Sequence, residues 1–273
     1  MITIVTDSSS YFKEKEALEA GIKLVPINYS VHSQQYSELF SDQNGDFESL
    51  LKSGPRSSTA QPSIGAFLSC FERELAVGNE VLCIVISSRM SGTYRSACLA
   101  AERAANKGVA VFDSHSTAGG LYLLVKAAAK LVDQNLSLSE IVERLPAIRD
   151  RITVTFSVDS MLPLRKSGRI GFVRMGVSTI LNIKPVLLCK DGAVEFDSIA
   201  RGNTDVIKNL IGKISPDAQE IVINYIGSDQ LATDLYNMAK QSFPQAALTF
   251  QKMGPVLAIH LGQQVIAVSF IRS

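Results

Sequence analysis

The chain has 273 residues, a net charge of +1 at pH 7 and 46% hydrophobic residues. These values exclude an intrinsically disordered chain, and they give no basic excess of the kind that nucleic-acid-binding surfaces carry. The apolar runs, such as 81–86, fall far below the ~18 residues that cross a bilayer, and the first residues lack a signal-peptide pattern, so we expect a cytoplasmic protein without a membrane span.

Strand-like and helical stretches alternate through the first half of the sequence. In chain order we predict strand 2–6, helix 11–20, strand 23–31, helices 46–53 and 63–77, strand 80–86, helix 93–106, strand 109–112, a helix within 119–133 and helix 139–149. Such alternation is typical of a parallel sheet that is covered by helices on both faces.

From residue 152 onward the pattern changes to hairpins mixed with helices. Lys190-Asp191-Gly192 is a strong turn signal between strands 184–189 and 193–200. The other predicted elements are strands 152–157, 221–225, 248–250, 255–260 and 265–271 and helix 229–242. We therefore predict a two-domain α/β protein, with a mostly parallel Rossmann-like sheet in residues 1–150 and a mixed α/β domain in residues 151–273.

The motifs of common nucleotide-binding, metallohydrolase and esterase sites are absent from the sequence. It contains no glycine-rich dinucleotide motif, no P-loop, no H-E-x-x-H and no G-x-S-x-G. The three histidines are far apart, and the four cysteines form no C-x-x-C pair, which indicates reduced thiols in a cytosolic protein. We expect neither a cofactor nor a metal ion.

Hydroxyl-rich segments are the most unusual feature of the sequence. They lie at 6–10, 57–63, 87–94 and 113–117. Loops at the carboxyl ends of parallel strands converge on one crevice, so Thr59 and Ser91 are candidates to contact a common ligand. Serine, threonine and aspartate also cap helices and fill turns, which is the alternative interpretation of each segment taken alone.

Ser91, Gly92 and Thr93 open the predicted helix 93–106. Glycine lets a backbone approach a ligand closely, and the free N–H groups of a helix start suit an anion. This pattern indicates a carboxylate or a phosphate and does not decide between them.

Two further segments carry candidate binding residues. Arg169 lies between glycines in segment 167–171, where it could clamp a phosphate or contact an acidic partner, or simply be part of a solvated loop. His260 stands in an apolar predicted strand before Gly262, where it is either a satisfied core histidine or a hydrogen-bond donor to a ligand headgroup.

Taken together, these segments resemble the DegV family, the bacterial fatty-acid-binding proteins that serve as the binding subunit of fatty acid kinase. The resemblance covers nearly the whole chain, and its motifs keep their order. They are Thr6-Asp7-Ser8, segments 58–63 and 87–97, Asp113-Ser114, segment 165–171, Lys184-Pro185, and Gly254-Pro255 with His260 and Gly262.

The resemblance implies that a long-chain fatty acid lies buried between two α/β domains. The ligand-binding residues that it implies are Thr59, Ser91, Gly92, Thr93 and His260. It also implies that a separate ATP-dependent kinase subunit phosphorylates the bound acid, with Arg169 and Arg201 at the headgroup or at the kinase-docking surface.

Two other functions remain open on the sequence alone. Ser91 as nucleophile with His260 as base would make the protein an acyl hydrolase or acyltransferase. Arg169 together with the helix start at Ser91 would suit a regulator that binds a phosphate ligand.

Overall fold

A computed structural model of the protein describes residues 1–53, 57–104, 108–169 and 183–273. The end of the basic segment 165–171, namely Ile170 and Gly171, lies outside the described residues. Within the described ranges, no helix combines the length and the apolar character that crossing a bilayer requires.

The described residues form strands and helices in close alternation. The strands are β1 (Ile2–Asp7), β2 (Lys23–Val25), β3 (Asn28–Val31), β4 (Gln34–Ser37), β5 (Ser57–Ala60), β6 (Glu80–Val85), β7 (Val109–Asp113), β8 (Ile152–Val158), β9 (Ile183–Lys190), β10 (Ala193–Arg201), β11 (Ala218–Ile226), β12 (Ala247–Lys252) and β13 (Val265–Arg272). The helices are α1 (Glu14–Glu19), α2 (Phe47–Ser53), α3 (Ile64–Ala76), α4 (Thr93–Arg103), α5 (Ala118–Asp133), α6 (Leu138–Arg149), α7 (Leu162–Ser167), α8 (Gly202–Lys213), α9 (Asp229–Ser242) and α10 (Pro255–Leu261).

Three sheets organise these elements into a two-domain α/β fold. Sheet A is parallel with strand order β2-β1-β6-β7, and sheet C is mixed with order β10-β9-β8-β13-β11-β12. The small antiparallel sheet B has the order β4-β3-β5. The parallel sheet and the hairpin of β9 and β10 confirm the predicted fold class. The domain boundary near residue 150 stays a prediction, although sheet A ends at Asp113 and sheet C begins at Ile152.

Proline explains one difference from the predicted elements. Segment 23–31 was expected to be one strand, but it forms β2 in sheet A and β3 in sheet B, with Pro26 between them. Proline has no backbone N–H and interrupts a strand ladder, so the chain leaves sheet A at this position. The break carries β3 to the place where it pairs with β5, and this pairing positions Thr59.

Helix α5 lies between sheets A and C and joins them in one core. Its consecutive residues 121–125 are all nearly inaccessible to solvent, which is the pattern of a helix buried on every face. Ile4 and Leu82 of sheet A, residues of α5, and Val222 of sheet C belong to the same hydrophobic cluster. Burial of this apolar surface is the main force that holds the two sheets together.

Glycine at position 119 allows the close contact between α5 and sheet C. The Gly119 N–H donates to Oδ1 of Asn224 at 3.0 Å. A Cβ atom at Gly119 would lie 2.4 Å from Asn224 Oδ1 and 2.6 Å from Ser269 Oγ, which is closer than a real Cβ approaches such atoms. The absence of a side chain is therefore a packing requirement at this position.

We expect Gly119→Ala to lower the free energy of unfolding by about 1–3 kcal/mol, because α5 must move away from sheet C. Gly212→Ala is the matched control, since Gly212 lies in α8 with nothing within 4 Å of its added Cβ. There the better helix propensity of alanine should raise stability by up to ~1 kcal/mol. Urea unfolding measures both variants, and two equal changes would contradict the packing argument.

Candidate functional site

A largely apolar cavity of about 350 Å³ lies between sheet C, α10 and the loops that follow β5 and β6. Among the described residues, its apolar lining comes mainly from β8, β13 and α10 and includes Val154, Phe156, Leu257, Val265 and Ala267. Its polar lining includes Thr59, Gln61, Ser91, Arg169 and His260. The size falls within the range of ~300–1,000 Å³ that is usual for small-molecule sites.

Thr59 and His260 form the central polar contact of this cavity. Thr59 lies on β5 opposite Tyr29 of β3, and its Oγ1 is 2.7 Å from Nε2 of His260. Helix α10 brings His260 to this position because Val256, one turn earlier, packs against Ile27 beside β3. Two residues 201 positions apart in the sequence thus meet in one hydrogen bond.

The charge state of His260 is set by its surroundings. Burial lowers its pKa to about 4, and the positive charge of Arg169 contributes to this lowering. The imidazole is therefore neutral at pH 7, with one N–H donor and one acceptor nitrogen. Its Nδ1 is buried, and it has no hydrogen-bond partner among the described residues. In one tautomer Nε2 donates to Thr59 Oγ1 and Nδ1 is an acceptor, and in the other Thr59 donates to Nε2 and Nδ1 carries the proton.

The prediction that His260 lies on a strand was wrong. Residues 255–261 form helix α10, which begins with Pro255 at its first turn and ends before Gly262. Proline is favoured at a helix start because its φ is already helical and its missing N–H has no partner there. The apolar run 256–259 is compatible with either structure, so periodicity could not separate a short buried helix from a strand.

Ser91 and its neighbours form the start of α4. Ser91 Oγ is 2.8 Å from Thr93 Oγ1 and accepts the Thr93 N–H at 3.3 Å. Ser91 and Gly92 line the cavity, whereas Thr93 is fully buried behind them. Ser91, which precedes the N-cap residue Gly92, therefore accepts the first N–H of α4 and also lines the cavity.

Gln61 is a cavity residue that sequence reasoning did not select. Its Nε2 donates to Ser96 Oγ at 3.2 Å. A Cβ on Gly92 would lie 2.1 Å from Gln61 Oε1, so the glycine makes room for this amide. The sequence did contain a signal for Gln61, because this residue lies within the motif segment 58–63, two residues after Thr59.

The Thr6-Asp7-Ser8 motif supports the site and does not line it. Asp7 is buried, and its carboxylate accepts from the N–H of Ile86 at 2.6 Å and from Ser9. Burial raises the pKa of Asp7, and these hydrogen bonds oppose the rise. The contact fixes the end of β6, from which the loop with Ser91 departs.

A second buried carboxylate, Glu38, ties α10 to the N-terminal part of the chain. Its Oε2 accepts the Val256 N–H at 2.9 Å, and its Oε1 accepts from Ser8 Oγ at 2.9 Å. In the described part of the chain no ion pair with a lysine or arginine neutralises it. Burial raises the pKa of Glu38 to about 8, against the effect of these hydrogen bonds.

Arg169 lies where the cavity meets the surface. Its side chain is exposed, and Nε donates to the Met90 carbonyl at 3.4 Å. A surface groove of about 400 Å³ shares Thr59, Arg169 and His260 with the cavity and continues along Leu162 and Lys166. We call this the entrance groove; the described residues that line it are Ser57, Ser58, Thr59, Leu162, Pro163, Lys166, Ser167, Arg169, Ile259 and His260.

Arg201 is not brought to the cavity. It is the last residue of β10, pairs with Ile183, and its N–H donates to the Asp205 carboxylate at 2.7 Å. The cavity lining reaches β10 only at Val194, near the opposite end of that strand. The structure thus gathers Thr59, Ser91, Gly92, Arg169 and His260, with Thr93 behind them, and leaves Arg201 elsewhere.

The contacts give little support to nucleophilic catalysis by Ser91. The hydrogen bonds of Ser91 go to Thr93, and Nε2 of His260 contacts Thr59, so no bond between Ser91 and His260 occurs among the described residues. No carboxylate in the described ranges orients His260, whose Nδ1 lacks a partner. Those ranges also contain no group of three or more His, Cys, Asp or Glu side chains that could hold a metal ion.

Comparison with known proteins agrees with this architecture. A solved structure of a fatty-acid-binding DegV family protein from Thermus thermophilus is 26% identical, with a TM-score of 0.88 over 100% of this chain and 99% of that one. The Streptococcus pneumoniae fatty acid kinase B3 protein, solved with linoleic acid, shares the fold at 23% identity and a TM-score of 0.87 over 100% of both chains.

Sequence comparison extends the likeness over the full length. A DegV domain-containing protein of Halalkalibacterium halodurans is 30% identical over an alignment 276 positions long, which covers 98% of each chain. A family model described as an uncharacterised protein of the DegV family matches residues 1–273. Because that model spans every residue of the sequence, this chain belongs to the DegV family.

Proposed function

We propose that the protein binds one long-chain fatty acid in the cavity and presents its carboxylate at the entrance groove to a separate ATP-dependent kinase. The observation that carries the proposal is an apolar cavity that has Ser91 in its lining and Thr59 and His260 where it meets the surface groove. The binding of fatty acid by the Thermus thermophilus relative supports the same ligand class.

The apolar lining supplies the affinity. Burying about 15 methylenes at ~0.8 kcal/mol each gives roughly 12 kcal/mol of gross transfer free energy. Association costs about 4–15 kcal/mol, so the acyl chain offsets most of that cost and the headgroup needs only to avoid a penalty. A fatty acid of this length therefore suits the cavity better than a small polar ligand.

The headgroup requires donors without a second buried charge. A carboxylate that leaves water without partners is strongly destabilised. With the His260 proton on Nε2, the imidazole donates to Thr59 Oγ1, and the hydroxyl protons of Thr59 and Ser91 are then the donors that the cavity offers to the carboxylate. Arg169 adds a positive charge on the exposed side, where it also favours the anionic form of the acid.

The kinase step is the finer part of the proposal and rests on the motif resemblance together with the entrance groove. In that step a carboxylate oxygen attacks the γ-phosphorus of ATP, the bond from that phosphorus to the β-phosphate oxygen breaks, and ADP leaves. The product is an acyl-phosphate. The protein itself binds the fatty acid and presents its carboxylate. The positively charged side chains of Lys166 and Arg169 along the groove suit the approach of the ATP phosphates.

Mass spectrometry of the purified protein tests the binding proposal. We expect one fatty acid per chain in the native spectrum, and the same acid after denaturation and organic extraction. No co-purifying lipid, and no binding of added oleate or palmitate, would overturn the proposal. The loaded protein incubated with a bacterial fatty acid kinase and ATP should yield acyl-phosphate, which hydroxylamine traps as a hydroxamate, and no hydroxamate would overturn the kinase step alone.

A further inference from the structure

The end of the cavity away from the entrance groove borders a second, polar pocket. This polar pocket has about 380 Å³, and its lining includes His115, Arg149, Asp150, Lys190 and Asp191. Among the described residues, the polar pocket and the cavity have two lining residues in common, Val154 and Cys189. The described lining of the entrance groove has no residue in common with that of the polar pocket, which indicates that the cavity lies between the two.

Val154 and Cys189 stand side by side in this position. They are directly paired residues on the antiparallel strands β8 and β9, so their side chains lie on the same face of sheet C. Val154 is buried, and a Cβ on Gly120 of α5 would lie 2.5 Å from its Cγ2. The side chain of Val154 therefore packs directly against the backbone of α5. The Cys189 thiol donates to the His115 carbonyl at 3.3 Å.

The hairpin turn that carries Cys189 is anchored to the loop after β6. Ser87 Oγ donates to the Gly192 carbonyl at 2.7 Å, and the Arg89 side chain donates to the Asp191 carbonyl at 3.1 Å. A Cβ at Gly192 would lie 2.5 Å from Ser87 Oγ, so the turn is seated tightly. These contacts fix the turn that directly follows Cys189 against the loop after β6.

We propose that Val154 and Cys189 form the wall that ends the acyl cavity and thereby set the upper limit on the length of the acyl chain. The inference rests on the proposed function. Each methylene buried in the apolar cavity should strengthen binding about fourfold. A methyl end that passed the wall would meet the charged side chains of Arg149 and Asp150 and would lose that gain.

Titration of the delipidated protein with saturated fatty acids of increasing even length tests the wall. For the wild type we expect affinity to rise roughly 15-fold per two added carbons and then to stop rising at one length. Cys189→Ala should move that length upward by at least one two-carbon step, and Cys189→Leu should move it downward. Cys98→Ala, a cysteine of α4 outside the cavity lining, should leave the length profile unchanged.

The outcomes distinguish a failure of the proposed function from a failure of the wall. A wild type that binds no fatty acid of any length would overturn the proposed function. A wild type that binds, but whose length profile is the same in Cys189→Ala, Cys189→Leu and the control, would overturn the wall. Val154→Ala gives a second measure of the upward shift, so the test remains decisive if Cys189→Leu fails to fold.

Discussion

Thr59→Val is expected to weaken the binding of a long-chain fatty acid by about 10- to 150-fold, which corresponds to the ~1.5–3 kcal/mol of a hydrogen bond to a charged group. Valine keeps the shape and β-branching of threonine, so strand β5 and its pairing with β3 should be retained. The carboxylate would lose the hydroxyl donor, and Nε2 of His260 would lose its partner at 2.7 Å. Isothermal titration of the delipidated protein with oleate measures the change.

Ser37→Ala is the matched control for Thr59→Val. Ser37 lies on β4 of the same sheet B, its side chain is exposed, its Oγ donates to Asn28 Oδ1 at 2.8 Å, and it lines neither the cavity nor the entrance groove. We expect the control to bind oleate like the wild type. Equal affinities for Thr59→Val and the wild type, with unchanged thermal unfolding of the ligand-free proteins, would remove Thr59 from the headgroup site.

Glu38→Gln is expected to stabilise the protein in alkaline solution, by on the order of 3–5 kcal/mol at pH 9. Burial raises the pKa of Glu38 from 4.5 to about 8. At a solution pH between these two pKa values, Glu38 has lost its proton in the unfolded chain but keeps it in the folded protein. Stability from this group is therefore lost as pH rises from about 4.5 to about 8 and stays lost above that range.

The amide introduced by Glu38→Gln would carry no ionisable proton, yet its oxygen could still accept the Val256 N–H that Glu38 accepts at 2.9 Å. Urea unfolding at pH 5, 7 and 9 should show a gap between variant and wild type that widens with pH. Glu143→Gln, on the exposed face of α6, should show no such widening. Parallel pH profiles for Glu38→Gln and the wild type would mean that Glu38 does not ionise with a raised pKa.

Local signals in the sequence predicted those parts of the fold that depend on few neighbours. The turn at 190–192 and the apolar run of β6 were predicted correctly, because turn chemistry and strand burial leave a direct trace in residue order. Pro26 and Pro255 show where local signals were misread. The first divides a predicted strand between two sheets, and the second begins a helix where a strand was expected.

The candidate site was predictable through its motifs and not through its geometry. The sequence indicated Thr59, Ser91 and His260 as separate candidates, and the fold brings them to one cavity. It contained no sign that Glu38 would hold the first turn of α10, because that contact joins residues 218 positions apart. Arg201 was selected with Arg169, yet the two lie in different places because β10 runs away from the cavity.

Strand β13 has a consequence for how the protein is made in the cell. It lies between β8 and β11 in the middle of sheet C, although it is synthesised after every other described strand. Until residues 265–272 have left the ribosome, β8 and β11 each expose an unpaired edge, which is a template for aggregation. Val265 and Ala267 also line the cavity. A nascent chain therefore has no complete ligand cavity until this strand is inserted, and sheet closure and the capacity to bind a ligand are acquired in the same late step.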